Sequence, residues 1–251
     1  MRIFITGASS GIGAALARHY GKRGATLGLL ARRESELREV GRSTGSAFEA
    51  YPCDVLDLAG VKAAAAHFVA AHGLPDIVIA NAGISYGTLT GAVEDVRTFA
   101  DILSVNVMGM VHAFHPFVDG MCARGAGKLV GIASVAGYRG LPGAGGYSAS
   151  KAAAISYLES LRVELHGRGV RVITVCPGYI ATPMTERNPF SMPFLIQADH
   201  AADLIARVID AGRSYAVIPW QMAIVARLLR LVPNSIFDRL AWRARRKPRK
   251  S

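Results

Sequence analysis

A tyrosine and a lysine four residues apart, in Tyr147-Ser148-Ala149-Ser150-Lys151, have the spacing of a proton-transfer pair. On a helix, positions four apart share a face, so the phenol and the ammonium reach the same space. A free phenol titrates near 10 and is a poor acid–base group at neutral pH. An adjacent ammonium favours the phenolate and brings that value down. So short a pattern also arises by chance, and its weight comes from its neighbours. Ser134 ends an apolar run upstream of Tyr147.

A second chemistry lies in Thr6-Gly7-Ala8-Ser9-Ser10-Gly11-Ile12-Gly13, between the first strand-like run and the first helical one. Glycines there permit a tight turn and let the backbone approach a pyrophosphate, which then meets the free amides of a helix N-terminus. The spacing is GxxxGxG, and a plain tight connection is the competing reading. The second strand-like run ends Leu29-Leu30-Ala31-Arg32-Arg33. No acid stands there to bind an adenosine ribose, and the two guanidinium forks suit a 2′-phosphate. NADP(H) is expected over NAD(H), with a solvated basic turn as the alternative.

These groups need a scaffold that brings them to one edge. Strand patterns fall at 2–6, 26–31, 47–53, 76–80, 127–133, 170–176 and 216–218. Helical patterns fall at 12–23, 34–45, 58–71, 96–122, 147–165 and 199–211. Regular alternation predicts an α/β fold: one Rossmann-like, doubly wound parallel sheet of about seven strands, with helices on both faces. Ligands bind outside the carboxyl ends of such strands, and Gly7, Asn81-Ala82-Gly83 and Ser134 all end or follow strands. With no repeat or linker before about residue 218, one catalytic domain is expected over 1–218, followed by an extension over 219–251.

Taken together, these residues resemble the single-domain short-chain dehydrogenase/reductase family from Arg2 to about Ile218. The matching motifs are Thr6-Gly7-x-x-x-Gly11-x-Gly13, Asp54-Val55, Asn81-Ala82-Gly83, Asn106-Val107-x-Gly109, Ser134, Tyr147-x-x-x-Lys151 and Pro177-Gly178. The resemblance implies that Tyr147 is the general acid in reduction and the base in oxidation, with Lys151 lowering its pKa and binding the nicotinamide ribose. Ser134 would hold the substrate oxygen, and Asn106 a water linking Lys151 to solvent. The cofactor would lie along Gly7, Ser9, Ser10, Gly11, Ile12 and Gly13. Asp54 and Val55 would meet its adenine, and Asn81, Ala82 and Gly83 would run beside it. Pro177, Gly178, Ile180 and Thr182 would shape the nicotinamide side, and Ser9 and Arg32, with Arg33 adjacent, would approach the 2′-phosphate. Ala80 replaces a usual asparagine, a mild departure. The chain also lacks the Gly-Gly-containing ending of the acyl-carrier-protein ketoreductase branch, and its Tyr–Lys spacing argues against the enoyl-reductase branch.

Composition sets the outer bounds. The formal net charge is +11, but from Arg227 onward nine Lys/Arg face only Asp238, so the basic character is mostly the tail's. That localisation argues against a nucleic-acid-binding fold. Cys53, Cys122 and Cys176 form no ligand spacing and read as reduced thiols; no metal is expected. The first strand begins one residue after Met1, leaving no room for a leader, and no run is long enough to span a bilayer. A cytoplasmic location is expected.

The segment 179–198 takes the place of the family's substrate loop. Met184, Phe190, Met192 and Phe194, facing Tyr86, Val135, Tyr138 and Leu141, suit a hydrophobic carbonyl or alcohol, lipid-like, steroid-like or long-chain. Packing of the loop onto the body is the alternative. Residues 220–232 are apolar on most of their circumference; as a helix they span roughly 20 Å, too short for a ~30 Å hydrocarbon core. With a second apolar run at 236–241 and the basic end, they suggest a peripheral anchor on anionic lipid. Self-packing, a subunit interface or a disordered tail are the alternatives. As an anchor, the extension should be removable without harm to the cofactor site. The resemblance implies a homodimer or homotetramer, formed through the long helices at 96–122 and 147–165. Besides a carbonyl reductase, a silent NADP(H)-sensing regulator or a membrane-surface scaffold fits the pattern less well, because neither needs the full proton-donor set.

Overall fold

The computed structural model describes residues 1–250. Seven strands form one parallel sheet in the order β3-β2-β1-β4-β5-β6-β9. They are β1 (Arg2–Thr6), β2 (Thr26–Ala31), β3 (Phe48–Pro52), β4 (Ile77–Ala80), β5 (Gly127–Ile132), β6 (Val170–Pro177) and β9 (Tyr215–Ile218). Between them run α1 (Gly11–Gly21), α2 (Glu34–Ser43), α3 (Leu58–His72), α4 (Val93–Leu103), α5 (Gly109–Arg124), α6 (Gly145–Glu164) and α7 (Ala198–Asp210). The order reverses between β1 and β4, which opens a crevice at their carboxyl ends.

Side-chain alternation divides the core into two layers. Ile3 and Ile5 of β1 pack with Leu16 and Tyr20 of α1 and Ile205 and Ile209 of α7. Phe4, between them, points to the other face and packs with Phe68, Phe114, Phe117 and Leu158. Period-two alternation in a sheet covered on both faces produces this apolar run with two separate destinations.

Three elements depart from the periodic reading. The segment read as one helix over 96–122 is two, α4 and α5, joined by a turn of π-helix at Ser104–Met108. Hydrophobic periodicity passes through a single wide turn without a break, so the sequence does not show it. Such turns aim a side chain that regular winding would misplace, and here the buried residue is Asn106. The segment 179–198 is closed at its base by two short parallel strands, β7 (Ile180–Ala181) and β8 (Ile196–Gln197), paired Ile180 to Ile196.

The third departure is the extension. It forms α8 (Trp220–Leu231) and α9 (Asn234–Ala241), and neither trails free. Met222 and Ala226 of α8 are buried, and Arg139 donates to the carbonyls of Leu229 and Val232 at 2.6 and 2.5 Å and to Asn234 Oδ1 at 2.8 Å. Its guanidinium also lies 4.1 Å from the Phe237 ring centroid. The last residues cross back over the body: Gly87 N donates to Pro248 O at 2.7 Å, and Arg249 pairs with the buried Asp95 at 2.8 Å. The extension therefore packs on the domain, with Met222 against Gly178, where a β-carbon would sit 2.6 Å from Met222 Cγ. Among the described residues no helix is long and apolar enough to cross a membrane, no group of ligating side chains could hold a metal, and all three cysteines are free.

Candidate active site

The glycine turn after β1 is fitted to backbone approach. Gly7 takes φ +66°, and a β-carbon there would come within 2.7 Å of the Ala82 backbone. One on Gly13 would overlap the Gly7 carbonyl and the Asn81 amide. Asn81 at the end of β4 holds the turn, donating from Nδ2 to the carbonyls of Thr6 and Gly7 at 3.2 and 3.1 Å. Ser10, the residue before α1, makes no side-chain cap, and Gly11 and Ile12 of the first turn line the crevice.

Beside that turn, Arg33 donates to Ser9 Oγ and Ser10 Oγ, each at 3.1 Å. Arg32 lies 3.8 Å from Asp54 Oδ2. The resemblance implied Ser9 and Arg32 at a 2′-phosphate, with Arg33 adjacent; in the structure Arg33 bonds the Ser9 hydroxyl and Arg32 lies toward Asp54. Both line one cleft of about 300 Å³. Its wall also includes Gly7, Ser9, Ser10, Gly11, Ile12, Asp54, Val55, Asn81, Ala82, Gly83, Ser134, Tyr147, Lys151, Pro177, Gly178, Ile180 and Thr182. Gly13 does not line it; its part is to leave room for the Gly7 carbonyl.

At the inner end, α6 presents Tyr147 and Lys151 on one face. Lys151 is buried and donates from Nζ to the carbonyl of Ile132 at 2.8 Å. Its ammonium stands 5.8 Å from the Tyr147 ring centroid, and burial pushes its pKa down to about 8. Burial likewise raises Tyr147, and the Ser134 hydroxyl partly pulls it back. Ser134 opens a short 3₁₀ turn, Val135–Gly137, and its Oγ accepts from Ala136 N at 3.1 Å and donates to Pro177 O at 3.4 Å. Asn106 joins three segments: Oδ1 accepts from Ile84 N at 2.8 Å, and Nδ2 donates to Ile84 O at 3.0 Å and Ser150 Oγ at 2.9 Å.

The expected substrate wall comes together only in part. Met184 lines the cleft. Phe190 packs on the Tyr179 ring at 6.3 Å, and Met192 Sδ accepts from Asn188 at 3.6 Å, so these two hold the loop together. Phe194 lies in a different groove, with Trp220 and Leu204, because the β7–β8 pair carries it to the far side of the loop. Tyr138 accepts a hydrogen bond from Tyr215 at 2.8 Å, and Leu141 N donates to Ser148 Oγ at 3.3 Å. Val135 and Tyr138 are half-buried beside Ser134. Tyr86 stands 6.0 Å from the Lys250 ammonium. Sequence reasoning missed Ile84, Val105, Pro183 and Thr185, which also line the cleft. Thr185 could have been read from its place after Thr182-Pro183: its Oγ1 donates to Ile180 O at 2.6 Å and accepts from Thr182 N at 3.0 Å, pinning Thr182.

The short chain dehydrogenase family model matches residues 1–190. A Myxococcus xanthus protein described as an uncharacterized oxidoreductase is 36% identical over 244 residues, with 96% of each chain covered. A putative ketoacyl reductase of Streptomyces coelicolor is 32% identical over 243 residues, covering 90% of this chain and 93% of its own. Among solved structures, a short chain dehydrogenase of Burkholderia cenocepacia in complex with NADP superposes with a TM-score of 0.82 at 26% identity, covering 95% of this chain and 96% of that one.

Proposed function

This chain belongs to the short-chain dehydrogenase/reductase family, and from that premise we propose that it is an NADP(H)-dependent oxidoreductase interconverting a carbonyl and an alcohol on a hydrophobic substrate. The observation that carries the reading is the meeting of Ser134, Tyr147 and Lys151 at the inner end of the cleft that starts at the glycine turn. The residues fit the cofactor. The first-turn amides and Gly7, whose neighbours leave no space for a β-carbon, would hold its pyrophosphate. Arg33, Arg32 and Ser9 would hold a 2′-phosphate, Asp54 and Val55 would meet the adenine, and Lys151 would meet a ribose. When bound, the nicotinamide supplies or accepts the hydride.

The chain's own part is proton transfer and positioning. With its pKa raised, Tyr147 is protonated throughout the neutral range and can donate to a carbonyl oxygen. Ser134 orients that oxygen, and Lys151 stabilises the phenolate left behind. The experiment is oxidation of NADPH and NADH against apolar and polar carbonyls. Turnover should favour NADPH and carbonyls that carry an apolar chain, with Tyr147→Phe slower by roughly a hundredfold or more and Arg33→Ala losing the NADPH preference. Equal use of both cofactors would overturn the NADP assignment, and full activity of Tyr147→Phe would overturn the mechanism.

Two proposals concern surfaces. Val96, Met108 and Val163 are exposed on α4, the π turn and α6, which supports a homodimer or homotetramer through these helices. Trp220, Ile224, Leu228 and Leu231 form one exposed stripe along α8, with Arg227 and Arg230 exposed beside it. That combination supports peripheral contact with an anionic membrane from the cytoplasmic side.

A further inference from the structure

Near its end the chain returns to the side of Tyr147, a residue that lines the cleft. Lys247 Nζ donates to Ser85 Oγ at 2.6 Å and stands 5.3 Å from the centroid of the Tyr147 ring. With Lys151 at 5.8 Å, the catalytic tyrosine has two ammonium groups around it. Neither is paired with a carboxylate among the described residues. The acids nearest the strap are already engaged: Asp95 with Arg249, and Asp101 with Arg97 and Lys250. Burial presses the Lys247 pKa down to about 8, the mark of a cation held away from water without a counter-charge.

The strap is held firmly enough to keep that charge in place. Arg249 Nε donates to both oxygens of the buried Asp95 at 3.0 and 2.8 Å. Gly87 N donates to Pro248 O, and Arg245 donates to Pro189 O of the substrate loop at 3.1 Å. A half-buried cation fixed beside a reacting group is costly unless something of opposite charge joins it. Lys151 is committed to the Ile132 carbonyl, whereas among the described residues the acceptor of Lys247 is the neutral Ser85 hydroxyl.

We propose that Lys247 is a specificity-determining residue, and that the preferred substrates are oxo compounds with an anionic group, such as a carboxylate, close to the carbonyl that Tyr147 protonates. The inference rests on the reductase reading and narrows it: the apolar part of the substrate lies along Met184 and the loop, and its anionic end meets Lys247. Arg249 acts as a positioning residue, since it holds the strap without facing the cleft.

The test compares α-, β- and γ-oxo carboxylates with their methyl esters in the full-length protein, as wild type, Lys247→Met, Lys247→Arg and Arg249→Met. The wild type should favour one of the acids over its ester. The acid-to-ester ratio of kcat/KM should fall roughly ten- to hundredfold in Lys247→Met, the range for a charge-assisted hydrogen bond. It should recover in part in Lys247→Arg and fall in Arg249→Met mainly through KM. Binding of the same acids is measured by calorimetry with and without NADP⁺, a pairing that cannot transfer a hydride. Turnover with no acid preference, or an equal loss for acid and ester in Lys247→Met, would overturn this proposal and leave the reductase reading standing. Lys247-dependent binding of an acid, with no turnover of any carbonyl, would overturn the reductase reading and with it the substrate assignment, and leave only an anion site at Lys247.

Discussion

The two residues at the centre of the site titrate away from their ordinary values for the same reason, and the consequence is measurable. Lys151 falls from its usual 10.5 to about 8 because its charge is buried, so the folded protein holds that proton less tightly than the unfolded chain. Below about pH 8 the charge costs stability in full. Between about 8 and 10.5 the folded state releases the proton first, and stability rises with pH. Lys151→Met should therefore be inactive yet more stable than the wild type at pH 7, by up to roughly 3 kcal/mol, with the gap closing toward pH 10. Urea denaturation at several pH values checks this; a variant less stable at every pH would show that the bond to Ile132 outweighs the buried charge. Tyr147 departs in the opposite direction, which keeps the phenol ready as an acid.

At the scale of elements, the site depends on interruptions of regular structure. The π turn at Ser104–Met108 places Asn106 where it can bond Ile84 and Ser150 together. The β7–β8 pair closes the base of the loop that carries Thr182 and Met184. The join between body and extension is concentrated in Arg139, whose guanidinium bonds two carbonyls at the end of α8, Asn234 Oδ1 and the Phe237 ring. Positive charge at a helix C-terminus is favourable in itself. Arg139→Ala should therefore loosen α8 and α9 while leaving the sheet folded. Hydrogen exchange would show this as faster exchange over 220–241 with little change in β1 to β6; uniform exchange across the molecule would count against so local a role.

On the scale of the whole molecule, the extension has two sides with different work. Its inner side is part of the body, through Met222, Ala226 and the strap at Lys247 and Arg249. Its outer side keeps Trp220, Ile224, Leu228, Leu231, Ile236, Leu240 and Trp242 exposed. Deleting the extension would confuse the two, since Met222 packs on Gly178 of the cleft. Ile224→Glu combined with Leu228→Glu is the cleaner variant. It should abolish flotation with anionic vesicles while NADPH binding is retained. Flotation unchanged in the double variant, or absent in the wild type, would overturn the membrane contact.

What the sequence by itself determined was the order of the elements and the motifs that rest on backbone geometry and spacing. Strand–helix alternation sets the parallel sheet, the glycines at 7, 11 and 13 set the turn after β1, and the four-residue spacing puts Tyr147 and Lys151 on one face of α6. These follow from backbone geometry and periodicity, which a linear text displays directly. Only the tertiary structure decided which of two adjacent arginines reaches Ser9, that Phe194 leaves the cleft, and that burial raises Tyr147 despite a nearby ammonium. It alone brought Lys247, a hundred residues beyond Tyr147 in the chain, to within 5.3 Å of its ring. Such outcomes turn on the surroundings a side chain acquires from distant segments, and on how much water those segments leave around it.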